Sequence, residues 1–170
     1  MIIEKYKTIF VHIPKNAGTA IKGFFNKDWD GGLKIPSIKI NKHDTVHQIK
    51  LKAPELYDSF KKFAVVRNPY DRILSWYTYL KGKDVEFKNW LKNPVHKLEP
   101  QHTWVDDTVE IIKFENLNEE INKFFGKEID LPVVNKSDHK HYLTYYDKES
   151  LDIVYNKYKE DFEKFNYKKL

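Results

Sequence analysis

The sequence predicts an α/β fold: one domain over residues 1–170, with a central parallel sheet flanked by helices and a P-loop-like opening turn. Three observations lead there. Apolar runs at 8–13, 62–67 and 109–114 each precede a segment with helical spacing, and strands alternating with helices close into a parallel sheet. A length of 170 residues suits one hydrophobic core. The turn after the first run carries a lysine and a glycine directly ahead of a helix, the arrangement that aims backbone N–H groups and the positive helix end at one spot.

The elements follow in order. Residues 8–13, Thr-Ile-Phe-Val-His-Ile, read as a short buried strand, and Ile21, Phe24 and Phe25 repeat at helical spacing over 20–26. Gly31-Gly32 marks a turn at 28–32, and 33–40 alternates but contains Pro36, so an edge or irregular strand is expected. A polar stretch with His43 and His47 leads to a short helix started by Pro54. The strand at 62–67 ends at Asn68-Pro69, a cap and a first helical residue, and Ile73, Leu74, Trp76 and Tyr77 line the helix that runs to Leu80. A helix over 84–91, a loop through Pro94 and Pro100, a strand at 109–114 and a helix at 117–125 come next. Residues 131–138 read as extended or loop. Leu151, Val154, Tyr155, Tyr158 and Phe162 share one face of a closing helix over 148–165.

Composition narrows the function classes. Hydrophobic residues at 41% and charged residues at 32% fit a globular chain rather than a disordered one. The absence of cysteine removes disulfides, thiolate metal sites and a cysteine nucleophile. With no long apolar run and a strand close to the N-terminus, the expectation is a cytoplasmic protein without signal peptide or membrane segment. The net charge of +5 is spread among acids, which favours an anionic ligand and does not demand nucleic acid.

Two sites for anions stand out. The amides of Asn16, Ala17, Gly18, Thr19 and Ala20, with the Thr19 hydroxyl, can bind a nucleotide 5′ phosphate, and Lys15 can neutralise charge on the leaving atom. A solvated turn is the alternative. The nucleoside triphosphatase loop is missing, because Lys15 precedes the only glycine of the turn and no magnesium carboxylate is evident. Further on, Arg67 at a strand end and Ser75 two turns into a helix can hold a second phosphate. Alternatively, Arg67 pairs with a carboxylate and Ser75 is an ordinary helix hydroxyl.

Phe-Val-His-Ile-Pro-Lys-Asn-Ala-Gly-Thr-Ala (10–20) and Phe-Ala-Val-Val-Arg-Asn-Pro-Tyr-Asp-Arg-Ile-Leu-Ser-Trp-Tyr (63–77) together resemble the carbohydrate-type sulfotransferases. The resemblance continues at Lys113-Phe114-Glu115-Asn116-Leu117, at Leu131-Pro132 with Asn135-Lys136-Ser137, and at Tyr158-x2-Asp161-Phe162-x2-Phe165. It implies the sulfotransferase fold and a donor, 3′-phosphoadenosine 5′-phosphosulfate (PAPS), that leaves as 3′,5′-ADP without a metal. Lys15 to Ala20 would hold the 5′-phosphosulfate, Arg67 and Ser75 the 3′-phosphate, and Lys136 would lie near the cofactor. The base would be a histidine between the two motifs. His43 matches the family position better than His47, and Glu55 stands behind both. Gln101 and Trp104, around His102, would face an acceptor, a glycan or small molecule bearing a hydroxyl. Relatives often carry Thr or Ser where Asn16 and Ala20 stand. Competing readings are a magnesium-dependent phosphotransferase, a basic nucleic-acid-binding module, and a relative that only binds.

Overall fold

Parallel pairing is confirmed where the apolar runs predict it. Strands β2 (Thr8–Val11), β3 (Lys61–Val66) and β4 (Glu110–Lys113) are adjacent and parallel, with Phe10 opposite Phe63 and Ala64 opposite Ile111. One correction applies at the edge. Ile2–Ile3 forms a further strand, β1, antiparallel to β2, so the sheet is mixed in the order β1-β2-β3-β4. Two residues are too few to show a period in the sequence. The chain reverses between them through a 3₁₀ turn at Glu4–Tyr6 and a left-handed Lys7.

The structure is a computed structural model that describes residues 1–25, 40–80, 85–93, 98–131 and 141–170. The expected turn at 28–32, all but Ile40 of the expected irregular strand, and Lys136 lie outside these residues.

Helices α1 (Gly18–Phe25), α2 (Val46–Lys52) and α3 (Pro54–Ser59) separate β2 from β3. Helices α4 (Pro69–Tyr79) and α5 (Phe87–Lys92) separate β3 from β4, and α6 (Leu117–Phe125) and α7 (Lys148–Lys164) follow. Helix α2 falls within the expected polar stretch, where Thr45 and Gln48 form a capping box. Thr45 Oγ1 accepts from the Gln48 amide at 3.2 Å and Gln48 Oε1 from the Thr45 amide at 2.8 Å. Only Val46 and Ile49 bury themselves, which is why the periodicity was faint. The start of α4 is as expected, with Asn68 Oδ1 accepting from the Tyr70 amide at 3.0 Å and Pro69 at the first helical position.

The chain divides into two compact units. The first, Met1–Val66 with Thr103–Val134, contains the whole sheet. One sheet face, Phe10, Phe63, Val65 and Ile112, packs with Ile21 and Phe25 of α1 and Ile121 of α6. On the opposite face Ile9, Val11, Ala64 and Val66 are also fully buried, as expected for parallel strands covered on both sides. The second unit, Arg67–His102 with Asn135–Leu170, is helical in its described residues. Its core joins Tyr70, Ile73 and Leu74 of α4, Phe87 and Trp90 of α5, and Val154, Tyr158 and Phe162 of α7. Each such side chain contributes roughly 1.5–3 kcal/mol by leaving water.

Candidate active site

The loop between β2 and α1 is shaped by backbone that glycine would normally supply. Lys15 and Ala17 are left-handed, with φ of 71° and 56°, whereas Asn16 and Gly18 are not. Each left-handed non-glycine residue costs about 1–3 kcal/mol and persists only where its surroundings hold it. Here Asn16 is fully buried and its Nδ2 donates to the Val65 carbonyl of β3 at 2.7 Å. The Ile21 amide donates to the Ala17 carbonyl at 3.1 Å, closing the first turn of α1. Alternation of handedness turns successive amides into one concavity, which suits an anion. Lys15 is half-buried, Thr19 is exposed and Ala20 is buried. Alternating backbone of this kind and the neighbouring Thr19 hydroxyl are donors of the type an oxyanion takes.

His12 sits behind this loop. A Cβ placed on Gly18 would come within 1.7 Å of His12 Nε2, so the imidazole occupies space that only glycine leaves open. The ring stacks on Phe10 at 5.3 Å between centroids. Burial pulls its pKa down to about 3, and His43, Lys42, the amino terminus and Lys22 act in the same direction.

His43 lies against His12, the ring centroids 4.5 Å apart. Its Nδ1 donates to the His12 carbonyl at 3.0 Å. The edge of Trp104 meets the His43 ring at 6.2 Å and 85°. The neighbouring Asp44 is buried and ion-paired with Lys52 at 2.7 Å, and it accepts from the Asn41 amide at 2.6 Å. Burial alone would raise the Asp44 pKa, but Lys52 and Asn41 more than offset it and hold the carboxyl below its usual value. His43 thus adjoins the anion loop through one imidazole. His47 is an exposed residue in the first turn of α2, and Glu55 is exposed in the first turn of α3.

In the helical unit, Arg67 Nε donates to Asp71 at 2.7 Å, so the carboxylate pairing weighed as an alternative is present. Ser75 is half-buried one turn beyond Asp71 on α4. Gln101 is the residue expected to face an acceptor. It is fully buried, its Nε2 donates to the Arg67 carbonyl at 2.9 Å, and its Oε1 accepts from the Arg67 amide at 2.9 Å. An amide committed in this way holds the Arg67 backbone. Asp161 of α7, also fully buried, accepts from the Gln101 and His102 amides and from His102 Nδ1, all at 2.8 Å. Tyr158 donates to the Leu98 carbonyl at 2.7 Å. Arg72 is buried with Nη1 on the Glu99 carbonyl at 2.9 Å, and burial pulls its pKa down to about 10 although Asp161 opposes the shift.

In the first unit Trp104 is 9% exposed, leaving little of its indole for a sugar to stack on. Tyr57 steadies the same segment by donating to Asp106 at 3.0 Å. Sequence reasoning passed over His12, Asp44, Arg72 and Asp161. His12, Arg72 and Asp161 each lie within one of the quoted motifs, whereas Asp44 carried no signal.

A family profile, the sulfotransferase family, matches residues 1–109 of the 170. The chain belongs to the sulfotransferase family. Comparison with curated proteins and with solved structures returned no significant match. This sulfotransferase is accordingly an enzyme that transfers a sulfuryl group, and its mostly parallel four-stranded sheet with flanking helices is compatible with the family fold. Among the described residues, no group of His, Asp and Glu is arranged to hold a metal, and no helix is long and apolar enough to cross a membrane.

Proposed function

We propose that residues 1–170 work as one sulfotransferase domain that uses PAPS to sulfate a hydroxyl of a carbohydrate or similar small acceptor, with His43 as base. The observation that carries this reading is His43 itself. Its Nδ1 is committed to a carbonyl, and one imidazole separates it from the left-handed Lys15 loop. The donor supplies a sulfuryl group joined to a phosphate that can leave.

The chain's residues then divide the work. The amides of residues 16–20 and the Thr19 hydroxyl hold the 5′ end, and Lys15 neutralises the charge that builds on the bridging oxygen as the S–O bond breaks. Nε2 of His43 accepts the acceptor's proton as the new O–S bond forms. The 3′-phosphate is assigned to Arg67 and Ser75 on the motif resemblance, with Asp71 fixing the guanidinium plane and Gln101 fixing the Arg67 backbone. Lys136 keeps its assignment near the cofactor on the same resemblance.

Calorimetric titration tests the donor. Wild type is expected to bind 3′,5′-ADP without magnesium, and Arg67→Ala to weaken it by ~1.5–3 kcal/mol, the value of a charged hydrogen bond, while 5′-AMP is affected far less. Equal weakening of both ligands would remove Arg67 from the 3′-phosphate. ATP binding only with magnesium would favour a phosphotransferase. In an acceptor screen with PAPS, Lys15→Ala is expected to abolish most turnover.

A further inference from the structure

We propose that His12 is a positioning residue for the transfer: its ring, seated on Gly18, and its carbonyl, bonded to Nδ1, hold His43 as the Nδ1–H tautomer beside the anion loop. The inference deepens the reading of His43 as the base and rests on it.

A backbone carbonyl can only accept, so the 3.0 Å contact requires a proton on His43 Nδ1. The lone pair of the neutral ring is then on Nε2. This is the reverse of the tautomer that a histidine side chain favours in water, and the partner of the other nitrogen decides it.

The carbonyl must be held still for this to work, and three contacts of His12 do so. Its ring fills the space above Gly18, stacks on Phe10, and meets the His43 ring at 4.5 Å. Asp44, through Lys52 and Asn41, fixes the chain directly after His43. Trp104 closes another side of the His43 ring.

The charge state of His12 matters as well. Buried and surrounded by His43, Lys42, the amino terminus and Lys22, it remains neutral near pH 7. A cation 4.5 Å from His43 would oppose proton uptake there. A neutral one does not. With Asp44 committed to Lys52, the two imidazoles meet as a neutral support and a base.

The test is long-range ¹H–¹⁵N correlation NMR of the wild-type imidazoles in their neutral form. The expected pattern is Nδ1–H for His43, and an Nε2–H pattern, or the mixture of free histidine, overturns the proposal. Gly18→Ala is the second arm. Its Cβ displaces the His12 ring, so His43 should drift toward Nε2–H, and kcat should fall at least tenfold with the acid limb of its pH profile moved. An unchanged tautomer and pH profile in that variant would show that the seat on Gly18 does not position His43, and would overturn the role of the ring. His43→Ala separates the two readings. Full activity there overturns the base assignment, whereas a wrong wild-type tautomer with an inactive His43→Ala variant overturns the positioning and the choice of Nε2 and leaves His43 as the base.

Discussion

The two units immobilise their proposed anion-binding residues by different physical means. In the sheet unit, the Lys15 loop is shaped by backbone: two left-handed non-glycine residues, one buried asparagine tied to β3, and an imidazole resting on Gly18. In the helical unit, Arg67 is held by buried side chains, with Gln101 clasping its backbone and Asp161 clasping Gln101 in turn. A backbone concavity presents amides that cannot change rotamer, which suits the position where charge moves during transfer. A side-chain relay costs desolvation and returns a rigid support only while every member is satisfied.

That contrast orders the expected effects. Asp161→Ala should be the most damaging. It strands the amides of Gln101 and His102 and removes the carboxylate that most favours the buried Arg72 charge. A loss of ~3–5 kcal/mol in urea unfolding is expected, and a loss below ~1 kcal/mol would mean that packing alone holds the helical unit.

Acid should reach the sheet unit through His12. Its folded pKa, about 3, lies below the ordinary 6.5, so the unfolded chain binds more protons across that window. Stability is therefore fully present above pH 6.5 and declines as pH falls toward 3. At ~1.4 kcal/mol per pH unit, roughly 3 kcal/mol should be lost by about pH 4. His12→Phe, compared by chemical unfolding at several pH values, should lose roughly 3 kcal/mol less than the wild type on going from neutral pH to about pH 4. Equal losses would mean that His12 charges freely in the folded state.

The smallest expected effect tests the backbone scheme most directly. Asn16→Ala deletes the bond to Val65 and should cost ~1–2 kcal/mol of stability. Because Lys15 and Ala17 are then free to leave the left-handed region, 3′,5′-ADP affinity should fall along with stability. Unchanged affinity in a destabilised variant would show that the concavity does not depend on this anchor.

Legibility in the sequence follows how local each feature is. The parallel strands, the Asn68-Pro69 start of α4 and the span of α6 rest on neighbouring residues, and all are where the sequence puts them. Helix α2 was readable from Thr45 and Gln48 and was obscured by its charged surface. The burial of Gln101 is not legible in the sequence, because a surface amide and a buried one look alike until the partner, here the Arg67 backbone, is known.

By itself the sequence determined the α/β class, the family, and the candidate residues that an oxyanion and a base require, because each resides in short-range pattern and composition. Tertiary structure decided what those residues touch. The left-handed turns at Lys15 and Ala17, the proton on His43 Nδ1, and the hold of Asp161 on Gln101 each depend on a partner in another segment of the chain. Burial then sets the value of each of those contacts, since a polar group enclosed away from water must find its partner inside the protein.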